Sequence, residues 1–233
     1  MAIPSLAQLS QYKVNRQGAE GIRQSLYDHL LYPTAGMNQL NFFALPQGQG
    51  VTSALGGVVG STKTIADTNM DNSGMLPAGK SFLLTSVEVA FYAGTVNTAN
   101  TFTQAVPSVF AAVAAAAVAG QINDIATFYL SGSLKLFIGS KTYLEEAPLM
   151  RFPPKSQLTL DAAVASNSAT TAEVALASAK ISGRPYMVEP PIYLENNQNF
   201  VVQLNWPGAV ATPSGFNGRV GVILDGYLYR NSQ

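Results

Sequence analysis

Reactive side chains are scarce in this sequence, and the few present have spacings that can be tested against known chemistry. The segment "DTNMDNSG", Asp67 to Gly74, sets Asp67, Asn69, Asp71 and Ser73 at alternate positions, the way a calcium loop spaces its first oxygen ligands. An EF-hand also needs glycine at its sixth position and glutamate at its twelfth, where this chain has Asn72 and Ala78. Asp67, Asn69 and Asp71 are therefore weak candidates for a structural calcium or other hard cation outside that motif. The competing reading is an Asx-rich turn leading into a strand. No other cofactor is expected.

His29, in "YDHLLY", is the single histidine, so any Ser–His–Asp arrangement would have to be built on it. No Gly-x-Ser-x-Gly elbow accompanies it, and metal sites needing two histidines are excluded. Glu145 and Glu146 are adjacent, which on a strand sends them to opposite faces and away from a shared glycosidic bond. Other carboxylate pairs, such as Glu88 with Asp161, are not placed by the sequence. "GGVVGSTKT" places Ser61 and Thr62 between Gly60 and Lys63, which breaks a P-loop. With no cysteine, thiol nucleophiles and disulfides are excluded. The chain is expected not to be an enzyme.

Elements must place whatever these residues do. Clear two-residue alternation marks "SFLLTSVEVAFYAG", with Leu83, Val87, Val89 and Phe91 on one face and Ser86, Glu88 and Tyr92 on the other. It also marks "FYLSGSLKLFIG", "FVVQLNW" and "GRVGVILDGYLYR". Weaker strands are Gln39–Leu45, Lys141–Glu146, Gln157–Val164 and Ile192–Glu195, for about eight in all. Gly139-Ser140 reads as a two-residue hairpin turn. Asn196–Asn199 reads as a second hairpin turn, joining Ile192–Glu195 to Phe200–Trp206 after Pro190-Pro191.

Ile22, Leu26 and Leu30 recur every four residues, which predicts a helix over Asn15–Tyr32 ended by Pro33. Its narrow apolar stripe suits an arm, so the expected organisation is an arm over residues 1–33 and one β domain over 34–233. Three long connections, Pro46–Lys80, Gly94–Thr127 and Ala165–Glu189, are rich in small and polar residues. "VFAAVAAAAVAG" reads as a short packed helix rather than a membrane span, and "ASNSATTAEVALASA" as a place for a short Ala-rich helix. "MAIPSLAQLS" lacks the pattern of a signal peptide, so synthesis in a cytoplasm is expected.

Charge is the unusual global feature. Only 11% of the 233 residues are charged, and thirteen basic residues balance thirteen acidic ones. An uncharged surface of this kind favours association, and buried interface cores are depleted in charge. Through Tyr32 the chain carries Lys13, Arg16 and Arg23 against Glu20 and Asp28, so no polybasic arm grips nucleic acid.

The segments "LPAGKSFLLTSVEVAFYAG", "GSLKLFIGSKTYLEEAPL" and "PPIYLENNQNFVVQLNWPG" resemble strand segments of jelly-roll major capsid proteins from tailless icosahedral bacteriophages. The resemblance runs over roughly Leu76 to Arg230 in style rather than through a diagnostic motif. It implies an all-β jelly-roll sandwich of two four-stranded sheets with an N-terminal arm and long contact loops. At this length a single jelly roll is favoured over a double one. It further implies a structural virion protein that self-assembles into capsomers of an icosahedral shell, with copies of itself and other virion proteins as partners. It brings no catalytic residues, no sequence-specific nucleic acid and no decision on a membrane inside the shell. The alternative is a virion spike or carbohydrate-binding sandwich, with aromatic residues such as Tyr227, Tyr229 or Trp206 lining a pocket.

Overall fold

The computed structural model describes residues 19–49, 62–93, 95–98, 101–104, 115–155, 162–168, 171–177, 183–213, 215 and 217–231. It is mostly β. Two four-stranded antiparallel sheets carry β1 (Ala19–Tyr32), β2 (Gln39–Phe42), β3 (Lys80–Tyr92), β6 (Ser133–Ile138), β7 (Lys141–Glu146), β10 (Tyr186–Leu194), β11 (Phe200–Asn205) and β12 (Gly218–Asn231). Their orders are β1-β12-β3-β10 and β2-β11-β6-β7. Two further hairpins stand apart, β4 (Thr95–Thr98) with β5 (Thr101–Gln104), and β8 (Ala162–Ser168) with β9 (Thr171–Ala177). One helix, α1, spans Ala115–Ser131.

The inward faces of the two sheets enclose one apolar core. Phe82, Leu84, Val87, Val89 and Phe91 of β3 and Val220, Val222, Leu224 and Leu228 of β12 meet Leu134, Leu136 and Ile138 of β6 and Phe200, Val202 and Leu204 of β11. Alternation in β6, β11 and β12 therefore has the expected meaning. In β3 it changes phase: Asp225 pairs with Ser86 and Gly226 with Leu84, so Thr85 is an extra residue in the ladder. One inserted residue moves every earlier side chain to the opposite face. Leu83, expected inward, instead packs with Tyr227 and Tyr229 on the outer face, against the half-buried Tyr193.

Four other expectations are corrected. Ala19–Tyr32 is a strand paired along its whole length with β12, not a helix; residues 1–18 of the expected arm lie outside the described residues. Phe128–Ser131 ends α1 rather than beginning β6, and burial there has helical spacing, with Ile125, Phe128 and Tyr129 inside and Leu130 61% exposed. The Asn196–Asn199 turn does not close a hairpin, because β10 pairs with β3 and β11 with β2 and β6. It carries the chain from one sheet to the other. The Ala-rich stretch after Val164 is the β8–β9 hairpin, not a helix. The Gly139-Ser140 hairpin is present, with Ile138 opposite Lys141 and Gly139 at φ 57°. Residues 157–161 and 109–114, parts of the expected strand and packed helix, lie outside the described residues.

The connections sort by end. Residues 33–38, 93–132, 147–185 and 206–217 join strands at one end of the sandwich, tied together by Trp206 N–H to the Asn38 carbonyl at 2.9 Å and Leu149 N–H to the Gly132 carbonyl at 3.0 Å. Both long insertions, the one holding β4–β5 and α1 and the one holding β8–β9, leave from that end, and β9 lies against α1.

Candidate functional site

The densest cluster of polar side chains lies where residues 62–76 run beside β1, the edge strand of the first sheet. This segment acts as a strap. His29 N–H donates to the Asp67 carbonyl at 2.8 Å and Asn69 N–H to the Tyr27 carbonyl at 3.4 Å. The Asn69 side chain then copies a strand partner, accepting from Tyr27 N–H at 3.0 Å and donating to the Ser25 carbonyl at 2.8 Å. An exposed strand edge invites pairing with other chains, and the strap satisfies this one.

The residues spaced like a calcium loop do four separate jobs. The Asp67 carboxylate accepts from Thr64 N–H at 2.9 Å and Thr64 Oγ1 at 3.0 Å and pairs with Arg219 at 3.3 Å. Asn69 serves the β1 backbone. Asp71 pairs with Lys80 at 3.0 Å at the surface, and the Ser73 hydroxyl donates to the Ala44 carbonyl. Asp67 and Asn69 thus have their side-chain oxygens turned to protein partners while Asp71 stands apart from them at the surface, and among the described residues no group of three or more His, Asp or Glu side chains could hold a metal.

His29 sits on the outer face of β1. Its Nδ1 is 3.1 Å from the main-chain oxygen of Asp67, not from a carboxylate. Tyr27, edge-on at 5.9 Å, and Tyr92, tilted at 6.4 Å, flank the ring. Gly221 lies beneath it, where a Cβ would collide with the imidazole. Burial, and then the nearby Arg219 guanidinium, push its pKa down to about 4. It is a neutral, packed group at neutral pH.

Two features had no clear signal in the sequence. Asp28 points inward from β1, fully buried, and pairs with Lys63, equally buried, while also accepting the Phe43 N–H at 2.7 Å. Burial raises the Asp28 carboxyl above its ordinary value, with Lys63 pulling the other way. A pair of this kind gains little over apolar residues, but losing one partner strands a buried charge. The sequence held no hint of it, because the apolar spacing of Ile22, Leu26 and Leu30 reads as a helix with Asp28 off its stripe. On the outer face, Lys155 joins Glu88, at 3.0 Å, and Asp225, and Lys155 N–H donates to Glu88 at 2.8 Å. Glu88 is thereby engaged, and Asp161 lies outside the described residues.

The remaining candidates do not converge. Glu145 pairs with Lys135 at 2.6 Å, whereas Glu146 pairs with Arg151 and accepts from Tyr186 Oη at 3.1 Å. Tyr227 and Tyr229 lie on the outer face of the first sheet, but Trp206 is in the core against Tyr32 and Phe128. Those three aromatics cannot line one pocket. No helix among the described residues is long and apolar enough to cross a membrane.

Comparison with protein-family models, with curated proteins and with solved structures yields no match.

Proposed function

We propose that this chain is a structural virion protein, folded as a single jelly roll, that self-assembles into capsomers of an icosahedral shell. The observation that carries the reading is the strand order. Eight strands taken in sequence fall into sheets β1-β12-β3-β10 and β2-β11-β6-β7. Strands that change sheets in this way, with first beside last, support a reading as the two Greek keys of a jelly roll.

Composition supports assembly as the purpose. Between Gly94 and Thr127 the single charged residue is Asp124, and between Ser156 and Ser182 the charged residues are Asp161, Glu173 and Lys180. Both stretches leave the sandwich at the same end. A two-stranded hairpin is marginal in water by itself, so two such hairpins, nearly free of charge, suit burial against neighbouring copies. On this reading the protein is made in a host cytoplasm and resides in the virion, with itself and other virion proteins as partners.

The test is the solution mass of the full chain, by light scattering behind a sizing column, with electron microscopy of the eluted peak. A truncation of residues 1–18 is run beside it, since cutting through Tyr32 would remove β1 itself. Capsomers or closed particles are expected from the full chain, falling to smaller units on truncation if the arm ties neighbours. A monomer at every concentration would sink the proposal.

A further inference from the structure

Of the ion pairs among the described residues, one alone has both side chains shut off from solvent. Lys63 and Asp28 are each 0% exposed at the side chain, whereas every other pair retains some exposure on both partners. Two charges held there lose hydration that their mutual attraction scarcely replaces. The same contact sets a primary amine against an acyl carbon, and an amine and a carboxyl differ from an amide by one water.

The surroundings hold the two groups still. Asp28 is fixed on β1 between Val222 of β12 and Thr68 of the strap. Lys63 is anchored through its backbone, its N–H donating to the Gln49 carbonyl at 3.1 Å and its carbonyl accepting from Gly48 N–H at 2.9 Å. The Asp28 oxygen that does not meet Lys63 accepts the Phe43 N–H at 2.7 Å, a donor placed to stabilise negative charge as nitrogen adds to that carbon. The Thr68 hydroxyl is hydrogen-bonded to the same carboxyl, in reach to pass a proton. Groups held in reacting position meet at effective concentrations on the order of 10⁵–10⁸ M.

We propose that Lys63 Nζ and the Asp28 carboxyl condense to an amide, joining the strap covalently to β1. One proton passes from the ammonium to the carboxylate, which exchanges two buried charges for two neutral groups. The amine nitrogen then adds to Asp28 Cγ. The C–N bond forms, one carboxyl C–O bond breaks, and that oxygen leaves as water with both of its hydrogens drawn from the nitrogen. No oxidant or other reagent is needed. Burial raises the Asp28 carboxyl above its ordinary value, which favours the protonated form this step requires. The product is uncharged, and its carbonyl keeps the Phe43 N–H. The cross-link ties residues 35 apart in sequence and makes the cover over the β1 edge permanent. It is independent of shell formation, since a chain in any oligomeric state can form it.

The experiment is the mass of the intact, folded full chain, followed by digestion with trypsin. The folded chain should weigh one water less than its sequence. Acylated Lys63 resists trypsin, so residues Gln24 to Lys80 should appear as one uncut peptide, also lighter by one water. Lys63→Arg keeps a cation but has no primary amine, and should show its full mass. Asp28→Asn should lose ammonia instead and end at the mass of the cross-linked parent. Circular dichroism checks that the parent is folded, and the parent's mass alone decides if either variant fails to fold. A folded parent at full mass after prolonged incubation would overturn the proposal. So would a lost water with normal cleavage after Lys63, which marks a cyclic imide at an aspartate instead.

Discussion

Burial, then Arg219 from β12 and Lys63 from the strap, favour the neutral form of His29, with Asp67 opposing them, while Tyr92 from β3 and Tyr27 from its own strand pack against the ring. With the folded pKa near 4 and the unfolded value near 6.5, the unfolded chain binds a proton first as pH falls. Stability contributed by the neutral ring is therefore present above about pH 6.5, declines between 6.5 and 4, and is gone below. The full span corresponds to about 1–3 kcal/mol once the ring's partial exposure is allowed for. Asp28, raised by burial, contributes a slope of opposite sign, so the measurement must be a difference. Urea unfolding of the parent and of His29→Gln at pH 7 and pH 4.5 isolates it. The variant should gain on the parent by about 1–2 kcal/mol on acidification; an equal gap at both pH values would show that the imidazole is not held neutral.

At the scale of the element, the strap decides whether β1 is an open or a closed edge. Asn69→Ala removes the acceptor for Tyr27 N–H and the donor to the Ser25 carbonyl. It should cost about 1–2 kcal/mol and speed hydrogen exchange at the Tyr27 amide, with the Leu26 amide, on the paired side, as control. Unaltered exchange at Tyr27 would mean the strap does not close that edge. The same strand explains what was hidden in the sequence. A four-residue apolar spacing fits a helix, and it equally fits every second inward position of a strand. Gln24 and Asp28 occupy the positions between, and Asp28 looked solvent-facing only because its partner, Lys63, is 35 residues away. In β6, β11 and β12 the inward positions are apolar from Leu134 to Ile138, Phe200 to Leu204 and Val220 to Leu228, so the alternation is plain. Up to Leu84, β3 hid its phase because a bulge at Thr85 depends on the partner strand rather than on local residues. Turn chemistry at Asn196–Asn199 showed that the chain bends there but not that it changes sheets. As for the site, "DTNMDNSG" was legible as a special segment, but its purpose rests on the β1 backbone, which no spacing rule could supply.

At the scale of the whole molecule, the sandwich and its insertions are separable in a way that can be cut. Gly183 N–H donates to the Pro154 carbonyl at 3.2 Å, so the segment between them starts and ends at one place. Lys155 must stay, because it holds Glu88 and Asp225 on the outer face. Among the described residues, the core side chains of the two sheets come from outside the segment 156–182. Replacing residues 156–182 by a three-residue Gly/Ser turn should therefore leave a cooperatively folding sandwich with β-type circular dichroism. Shortening the closed loop costs the fold little, since loop-closure entropy varies only slowly with length. If the near-uncharged insertions are the surfaces through which copies meet, this variant should remain small by light scattering where the parent assembles. Assembly unchanged in size would assign the contacts to the sandwich walls and edges instead. Loss of the fold itself would show that β8 and β9 belong to the core structure and that the insertion is no appendage.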